Sequence, residues 1–160
     1  GDTEDVIVVP YSRNEHGALA GIKSTSYGEN VVALAEARRR GAGEAIFANT
    51  RGELCEGTGS NVFLVSGGLL ITPPLSSGCL AGVTRALVIE LCEREGIVLE
   101  EKAVPISSLE RAEEAFLTST TREVQPIREV DGRLISNVPG EVTSRLQRSF
   151  RVLMDADLDP

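Results

Sequence analysis

The chain has 160 residues, of which 41% are hydrophobic and 25% charged, and its formal net charge is -8 at pH 7. This size allows one compact domain with a core of its own, and no apolar run approaches the ~20 residues that a membrane-spanning helix needs. The negative charge argues against binding to nucleic acid, because affinity for a phosphate backbone is built from lysine and arginine side chains. We therefore expect a globular protein that acts neither in a membrane nor on nucleic acid.

The first third of the chain predicts a strand, a long loop and a helix. Residues 6–9 form a short apolar run that Pro10 is expected to end, because proline has no N–H for the ladder. The loop around Lys23 leads into a helix predicted from Asn30, with Gly41 as a plausible cap. The Lys23 loop is therefore followed directly by a helix.

The middle of the chain contains more strands and a second helix. Residues 44–50 predict a strand, residues 54–61 a glycine-rich crossing, and residues 61–74 two strands joined by a two-glycine turn. A helix predicted from about Val83 stops before Gly96. Here too, loop residues lie at a helix N-terminus.

The last third continues the alternation, with strands predicted over 97–105 and 114–120, a hairpin over 124–135, and helices over 107–110 and 140–154. The first of these helices is predicted because Ser107 and Glu110 have the spacing of a capping box. There is no linker or internal repeat. Residues 1–160 therefore indicate a single mixed α/β domain with about four helices.

Cysteine and histidine are both scarce. Three cysteines, Cys55, Cys79 and Cys92, are too few for the disulfide framework of a small secreted domain, which favours a reducing, cytoplasmic setting. The single histidine, His16, leaves no Cys/His cluster at metal-ligand spacing, so we expect no metal site. The chain begins "GDTED" without Met and enters a strand almost at once, which is typical of a cut inside a longer protein.

Two loops carry residues suited to covalent or acid–base chemistry. Lys23, one of only two lysines, lies in a Gly/Ser/Thr loop four residues before Tyr27. A Schiff-base lysine needs a partly desolvated pocket in which its amine can be neutral; a solvated surface charge is the ordinary alternative. Glu56, between Cys55 and Gly57, is either a plain loop acid or a carboxylate aimed at a basic ring nitrogen.

Two further loops offer groups that bind anions. Gly82 permits close approach of the backbone, and the N–H groups of Val83 and Thr84 with the Thr84 hydroxyl suit a phosphate, although the same residues also make an ordinary helix start. The hydroxyl run 118–121 is either a β-rich edge or a set of donors. Neither a Walker motif nor a dinucleotide motif occurs.

Four motifs in this order carry a family resemblance: GIKSTSYGENVVALAEARRRGAGEAIF, GELCEGTGSNVFLV, LLITPPLSSGCLAGVTR and AEEAFLTSTTREVQPI. Together they resemble the C-terminal half of the class IV, or fold type IV, pyridoxal-phosphate enzymes, over about residues 5–150. That family includes branched-chain aminotransferases, D-amino-acid aminotransferases and 4-amino-4-deoxychorismate lyases. The resemblance implies the C-terminal lobe of the D-amino-acid aminotransferase-like architecture and pyridoxal 5'-phosphate (PLP) as cofactor.

The resemblance also implies roles for individual residues. Lys23 is similar to the lysine that forms the Schiff base with the cofactor, Tyr27 to the phenol beside the cofactor O3' oxygen, and Glu56 to the partner of the pyridine nitrogen. Leu80 resembles the aliphatic residue on the ring face. The expected phosphate-binding residues are Gly82, Val83, Thr84 and Thr120.

Two departures from the family pattern concern the substrate side. The backbone at Thr121 is where the family receives the substrate carboxylate, but Thr121 and Arg122 replace the two small residues of the branched-chain pattern. Arg122 either helps to select an acidic substrate group or is a solvated arginine. The N-terminal lobe of the family, which supplies a further phosphate-binding arginine and one pocket wall, is absent from this chain, so the isolated chain is predicted to be a weak or inactive catalyst.

The resemblance implies an enzyme, and it leaves the reaction open. We expect an aminotransferase, of branched-chain or D-amino-acid type, that exchanges an amino acid for a keto acid and forms a homodimer. The alternative is a 4-amino-4-deoxychorismate lyase that releases pyruvate and 4-aminobenzoate in the folate pathway. A third interpretation, a non-catalytic relative, is disfavoured because a fold alone does not need the set Lys23, Tyr27, Glu56, Thr84 and Thr120.

Overall fold

A computed structural model describes residues 2–18, 20–22 and 27–157, without the side chains of Tyr27 and Asp157. None of the helices in these residues has the length and apolar character needed to cross a membrane. The elements are β1 Glu4–Arg13, α1 Tyr27–Arg39, β2 Glu44–Asn49, β3 Leu54–Gly57, β4 Asn61–Ser66, β5 Leu69–Thr72, α2 Val83–Glu95, β6 Leu99–Glu101, β7 Glu114–Ser119, β8 Glu123–Val130, β9 Arg133–Leu134 and α3 Glu141–Asp157. Short 3-10 turns cover Leu75–Ser77 and Ile106–Ser108.

The strands form one curled sheet in the order β3-β2-β1-β8-β7-β4-β5-β6, and β9 pairs with β8. Strand β1 runs parallel to both β2 and β8, whereas β2 pairs with β3 and β4 with β7 in antiparallel fashion. A tight turn leads from β3 to β4, in which the Gly57 N–H donates to the Ser60 carbonyl at 2.8 Å. This short β3–β4 connection links one edge strand of the sheet to a strand in its middle.

The side chains of the sheet alternate between the inside of the curl and its outer face, as strand geometry requires. The inside is filled by aliphatic residues of β1 to β5, β7 and β8, such as Ile46, Leu64 and Leu117. Helix α1 covers the outer face of β1 and β2 around Phe47. Helices α2 and α3 cover the outer face of β4 and β7, where the rings of Phe63 and Phe116 stack with centroids 4.8 Å apart.

Several predicted elements are confirmed. Helix α2 spans Val83–Glu95, and Gly96 ends it in the left-handed conformation with φ 67°. Strands β4 and β5 are joined by the predicted glycine pair, and β8 and β9 by the turn at Asp131 and Gly132. The mixed α/β class is confirmed as well. These elements could be predicted because apolar runs and terminating glycines depend only on residues close together in the chain.

Other predictions were wrong at the level of single elements. Pro10 does not end β1: the ladder with β2 shifts register between Val8 and Ser12, and this irregularity accommodates a residue without an N–H. The crossing 54–61 contains β3. The capping box is not formed, because the turn begins at Ile106 and the Pro105 carbonyl accepts the Ser108 N–H. The described residues thus contain three α-helices, not about four.

Glu114 fixes the start of α3, and its removal should destabilise the fold. Its buried carboxylate accepts hydrogen bonds from the Thr143 N–H at 2.8 Å and the Thr143 hydroxyl at 2.7 Å. We expect Glu114→Ala to lower the free energy of unfolding by about 1–3 kcal/mol, because it leaves buried donors unpaired. Urea denaturation measures this, with Glu110→Ala, a surface change, as the control; equal effects of the two would contradict the capping role.

Candidate active site

The structure brings part of the predicted site together at the β3–β4 connection. Glu56 near the end of β3 contacts Leu80, which lies two residues before Gly82, the N-cap of α2. Lys23 lies outside the described residues, as does the side chain of Tyr27, and the roles predicted for them stay predictions. Thr120, predicted to bind the phosphate, and Thr121, predicted to bind the substrate, are exposed in the β7–β8 turn. This turn follows Thr118, which pairs with Asn61 at the start of β4.

Glu56 is a largely buried carboxylate, 14% exposed, with two partners. One of its oxygens, Oε2, accepts a hydrogen bond from the Leu80 N–H at 2.8 Å, and Oε1 lies 3.2 Å from Nε of Arg13. Burial raises the pKa of Glu56, while the Leu80 N–H and the charge of Arg13 lower it. Because a carboxylate has about four lone-pair sites, Glu56 can accept a further hydrogen bond from a ring N–H.

Arg13 connects Glu56 to the start of α1. Its guanidinium lies over the Phe47 ring at 3.9 Å, pairs with Glu29 at 3.3 Å and bonds to the Asn30 side chain. Arg13 therefore joins the end of β1 to the first turn of α1, on either side of the loop that contains Lys23. Sequence reasoning missed it. An arginine ending an apolar strand was the available signal, but its partners are distant in the chain.

The entry to α2 is held by a second residue that sequence reasoning missed, Asn61. Its Nδ2 donates to the Leu80 carbonyl at 2.8 Å, so both backbone polar groups of Leu80 are bound by the β3–β4 connection. The Leu80 carbonyl also accepts the Gly82 N–H at 2.9 Å. The segment between the 3-10 turn and α2 thus has a defined course over the β3–β4 connection.

The N-terminus of α2 suits an anion. Its N-cap, Gly82, has no side chain to occupy the N–H groups of the first turn, whose partial positive charge favours a negative group. Thr84 in this turn is buried. The Thr118 hydroxyl, opposite Asn61 in the β4–β7 ladder, is buried and has no hydrogen-bond partner among the described residues. These groups fit a phosphate more readily than an apolar ligand.

Glu44 fixes the turn between β3 and β4. This buried carboxylate accepts hydrogen bonds from the Thr58 N–H at 3.0 Å and the Ser60 hydroxyl at 2.9 Å. Its position at the head of a buried strand makes an acidic side chain costly unless it is fully hydrogen-bonded. Glu44 therefore stabilises the connection from which Glu56 and Asn61 project.

Arg122 is bound by protein groups and is not a solvated arginine. Nη1 lies 2.7 Å from Oε2 of Glu4, and Nη2 lies 3.6 Å from Oε2 of Glu44 and 3.3 Å from the Gly43 carbonyl. Its side chain is 22% exposed. A substrate carboxylate at this guanidinium would have to compete with Glu4.

Glu15 anchors the loop that leads towards Lys23. Its carboxylate accepts the Thr50 N–H at 3.0 Å and the Thr50 hydroxyl at 2.6 Å, and it lies 3.2 Å from Nη1 of Arg51. The Thr50 hydroxyl is the main cause that lowers the pKa of Glu15 to about 2. Gly78, with φ 97°, passes so close that a Cβ there would lie 2.9 Å from the Cβ of Glu15. His16, beside it, is an exposed loop residue.

Comparison with known proteins extends this picture. Residues 2–130 match the family model "Amino-transferase class IV". The chain belongs to this family. The branched-chain-amino-acid aminotransferase of Pseudomonas aeruginosa is 40% identical over 126 residues, which are 78% of this chain and 41% of that protein. The D-alanine aminotransferase of Bacillus licheniformis is also 40% identical, over 81% of this chain and 46% of that protein.

Solved structures confirm the fold of this class IV chain. The branched-chain aminotransferase of Thermoproteus uzoniensis, solved with norvaline, superposes with a TM-score of 0.92 and 36% identity over 99% of this chain and 53% of that chain. The branched-chain amino acid aminotransferase of Thermobaculum terrenum in its PLP form superposes with a TM-score of 0.89 and 35% identity, over 95% of this chain and 51% of that chain. The chain thus spans about half the length of the relatives it matches. Class IV aminotransferases are PLP-dependent.

The depressed pKa of Glu15 predicts a pH-dependent contribution to stability. Because its folded pKa is below the unfolded value of about 4.3, the stabilisation is complete above that pH and is lost as pH falls towards about 2. Glu15→Gln should therefore lower the free energy of unfolding at pH 7 and less so at pH 3. Urea titrations at both pH values measure the difference in unfolding free energy between wild type and variant. The exposed Glu90→Gln serves as control. If Glu15→Gln lowers the free energy equally at pH 7 and pH 3, the linkage is contradicted.

Proposed function

We propose that this chain is the cofactor-binding part of a PLP-dependent aminotransferase that acts on amino acids of the branched-chain or D type. The observation that carries the proposal is the contact of the largely buried Glu56 with Leu80, two residues before Gly82, the N-cap of α2. One short stretch of structure thus offers an acid for a ring nitrogen and a site for a phosphate. The named relatives, branched-chain and D-alanine aminotransferases, support the substrate class.

The ring side of the proposed site depends on Glu56 and Arg13. When bound, PLP supplies an electron sink that weakens the bonds to the amino acid Cα. Glu56, whose pKa is raised by burial and lowered by the Leu80 N–H and Arg13, would as a carboxylate hold a proton on the pyridine nitrogen. Leu80 would pack against the ring. The α2 N-terminus with Thr84, and Thr120 from the β7–β8 turn, would bind the phosphate.

The reacting side depends on Lys23 and the β7–β8 turn. We assign to Lys23 the covalent attachment of the cofactor and the movement of the proton taken from Cα, with Tyr27 beside the cofactor O3' oxygen. Arg13 and Glu15, which hold β1 and the following loop to α1 and to Thr50, would set where Lys23 lies. The Thr121 backbone would receive the substrate carboxylate.

The cellular setting and assembly belong to the same proposal. All three cysteines, Cys55, Cys79 and Cys92, are buried and free, which supports a reducing, cytoplasmic environment. We also propose that the enzyme works as a homodimer.

The function is tested with a cofactor spectrum and a product assay. The chain alone, and the chain joined to the N-terminal lobe of a class IV relative, are incubated with PLP and dialysed. We expect a retained visible absorbance band that Lys23→Ala abolishes, with keto-acid formation from L- or D-amino acids only by the joined protein. Lys102→Ala, which removes the other lysine, is the control.

Each result has a defined meaning. No retained PLP in either protein would contradict the proposed function. Release of 4-aminobenzoate without keto-acid formation from amino acids would identify the lyase reaction instead. Full turnover by the chain alone would contradict the expectation that it is a weak catalyst.

Arg122 is tested by substrate selectivity. If it selects acidic substrates, Arg122→Ala should lower kcat/KM for a dicarboxylic amino acid about tenfold or more, as expected for a lost charged hydrogen bond, and affect a branched-chain amino acid much less. The joined protein is assayed on both. Equal losses on both substrates would indicate that the pairs with Glu4 and Glu44 serve only the fold, and normal turnover of the dicarboxylate would remove the idea.

A further inference from the structure

The residue that this structure adds most clearly to the site is Asn61. It is 5% exposed and is the first residue of β4, directly after the turn that Glu44 stabilises. A buried amide needs partners for its polar atoms. Nδ2 of Asn61 donates to the Leu80 carbonyl at 2.8 Å. Leu80 is also the residue whose N–H donates to Glu56.

The position of the Asn61 side chain also accounts for the glycine at position 82. Gly82 has φ -66° and ψ 143°, a conformation open to any residue, so no backbone strain requires glycine there. A Cβ at this position would lie 2.3 Å from Oδ1 and 3.5 Å from Cγ of Asn61, and the nearest atom of another residue, Cβ of Arg85, is at an ordinary 3.7 Å. Gly82 is therefore glycine because Asn61 occupies the space.

We propose that Asn61 is a positioning residue that sets the α2 N-terminus relative to Glu56. Its Nδ2 fixes the Leu80 carbonyl, and its Oδ1 packs against Gly82, so the first turn of α2 is held at a set distance from the β3–β4 connection. The proposal rests on the function above, in which Glu56 and this first turn bind opposite ends of one rigid cofactor. An error of 1 Å in their separation would weaken both contacts.

The first test compares Asn61→Ala and Asn61→Asp with Thr72→Val. Asn61→Asp keeps the shape but has no N–H to donate and brings an anionic oxygen to the Leu80 carbonyl. Thr72, also buried, donates to the Val62 carbonyl at 2.8 Å, so its variant loses a comparable hydrogen bond away from α2. The two Asn61 variants should raise the PLP dissociation constant about tenfold, the effect of one hydrogen bond, and Thr72→Val should not.

Amide hydrogen exchange supplies a readout without cofactor. In the Asn61 variants the amides of Leu80 and Gly82 should exchange faster than in wild type, and in Thr72→Val they should not. If both Asn61 variants match Thr72→Val in exchange and in PLP affinity, the positioning role is overturned. Failure of the wild-type chain to bind PLP would overturn the proposed function instead, and exchange at Leu80 would still decide whether Asn61 holds this segment.

A double-mutant cycle tests the packing against Gly82. Gly82→Ala in wild type should reduce the urea midpoint, because the new Cβ meets Oδ1. In the Asn61→Ala background the same change should have little effect, because the oxygen is gone. Such non-additivity is the signature of direct contact, and additive effects would overturn the proposed reason for Gly82.

Discussion

The candidate site depends on how the β3–β4 connection binds a single residue, Leu80. Its N–H is accepted by Glu56 and its carbonyl is bound by Asn61, one from each strand flanking the connection. These two hydrogen bonds join the curled sheet to the segment that becomes α2. Such directed hydrogen bonds specify a backbone position more sharply than packing alone does.

The connection is itself stabilised by a buried charge. Glu44 accepts hydrogen bonds from Thr58 and Ser60 and lies near Arg122, so an acid inside the fold orders the turn that carries the functional groups. Such a charge is costly when any partner is lost. At Glu44 this cost falls where Glu56 and Asn61 must be placed rigidly, and the buried carboxylate of Glu114 has a comparable structural role at the start of α3.

The loop before α1 is bound in a comparable way at its described ends. Arg13 joins Glu56 to Glu29, and Glu15 joins the loop to Thr50 and Arg51. The acid proposed for the ring nitrogen and the loop proposed to carry the covalent anchor therefore share Arg13. The charge of Arg13 lowers the pKa of Glu56, against the larger effect of burial.

The sequence by itself determined the features that depend on neighbours in the chain: α2 with its stop at Gly96, the glycine turns, the mixed α/β class and, through four ordered motifs, the family. It also singled out Glu56 and Gly82, because acids and glycines in loops are visible locally. Only the tertiary structure decided that Arg13, Glu44 and Asn61 belong with them. Their partners lie in other strands and helices, often many residues away, and no local pattern of charge or hydrophobicity specifies which distant backbone group a buried polar side chain will bind.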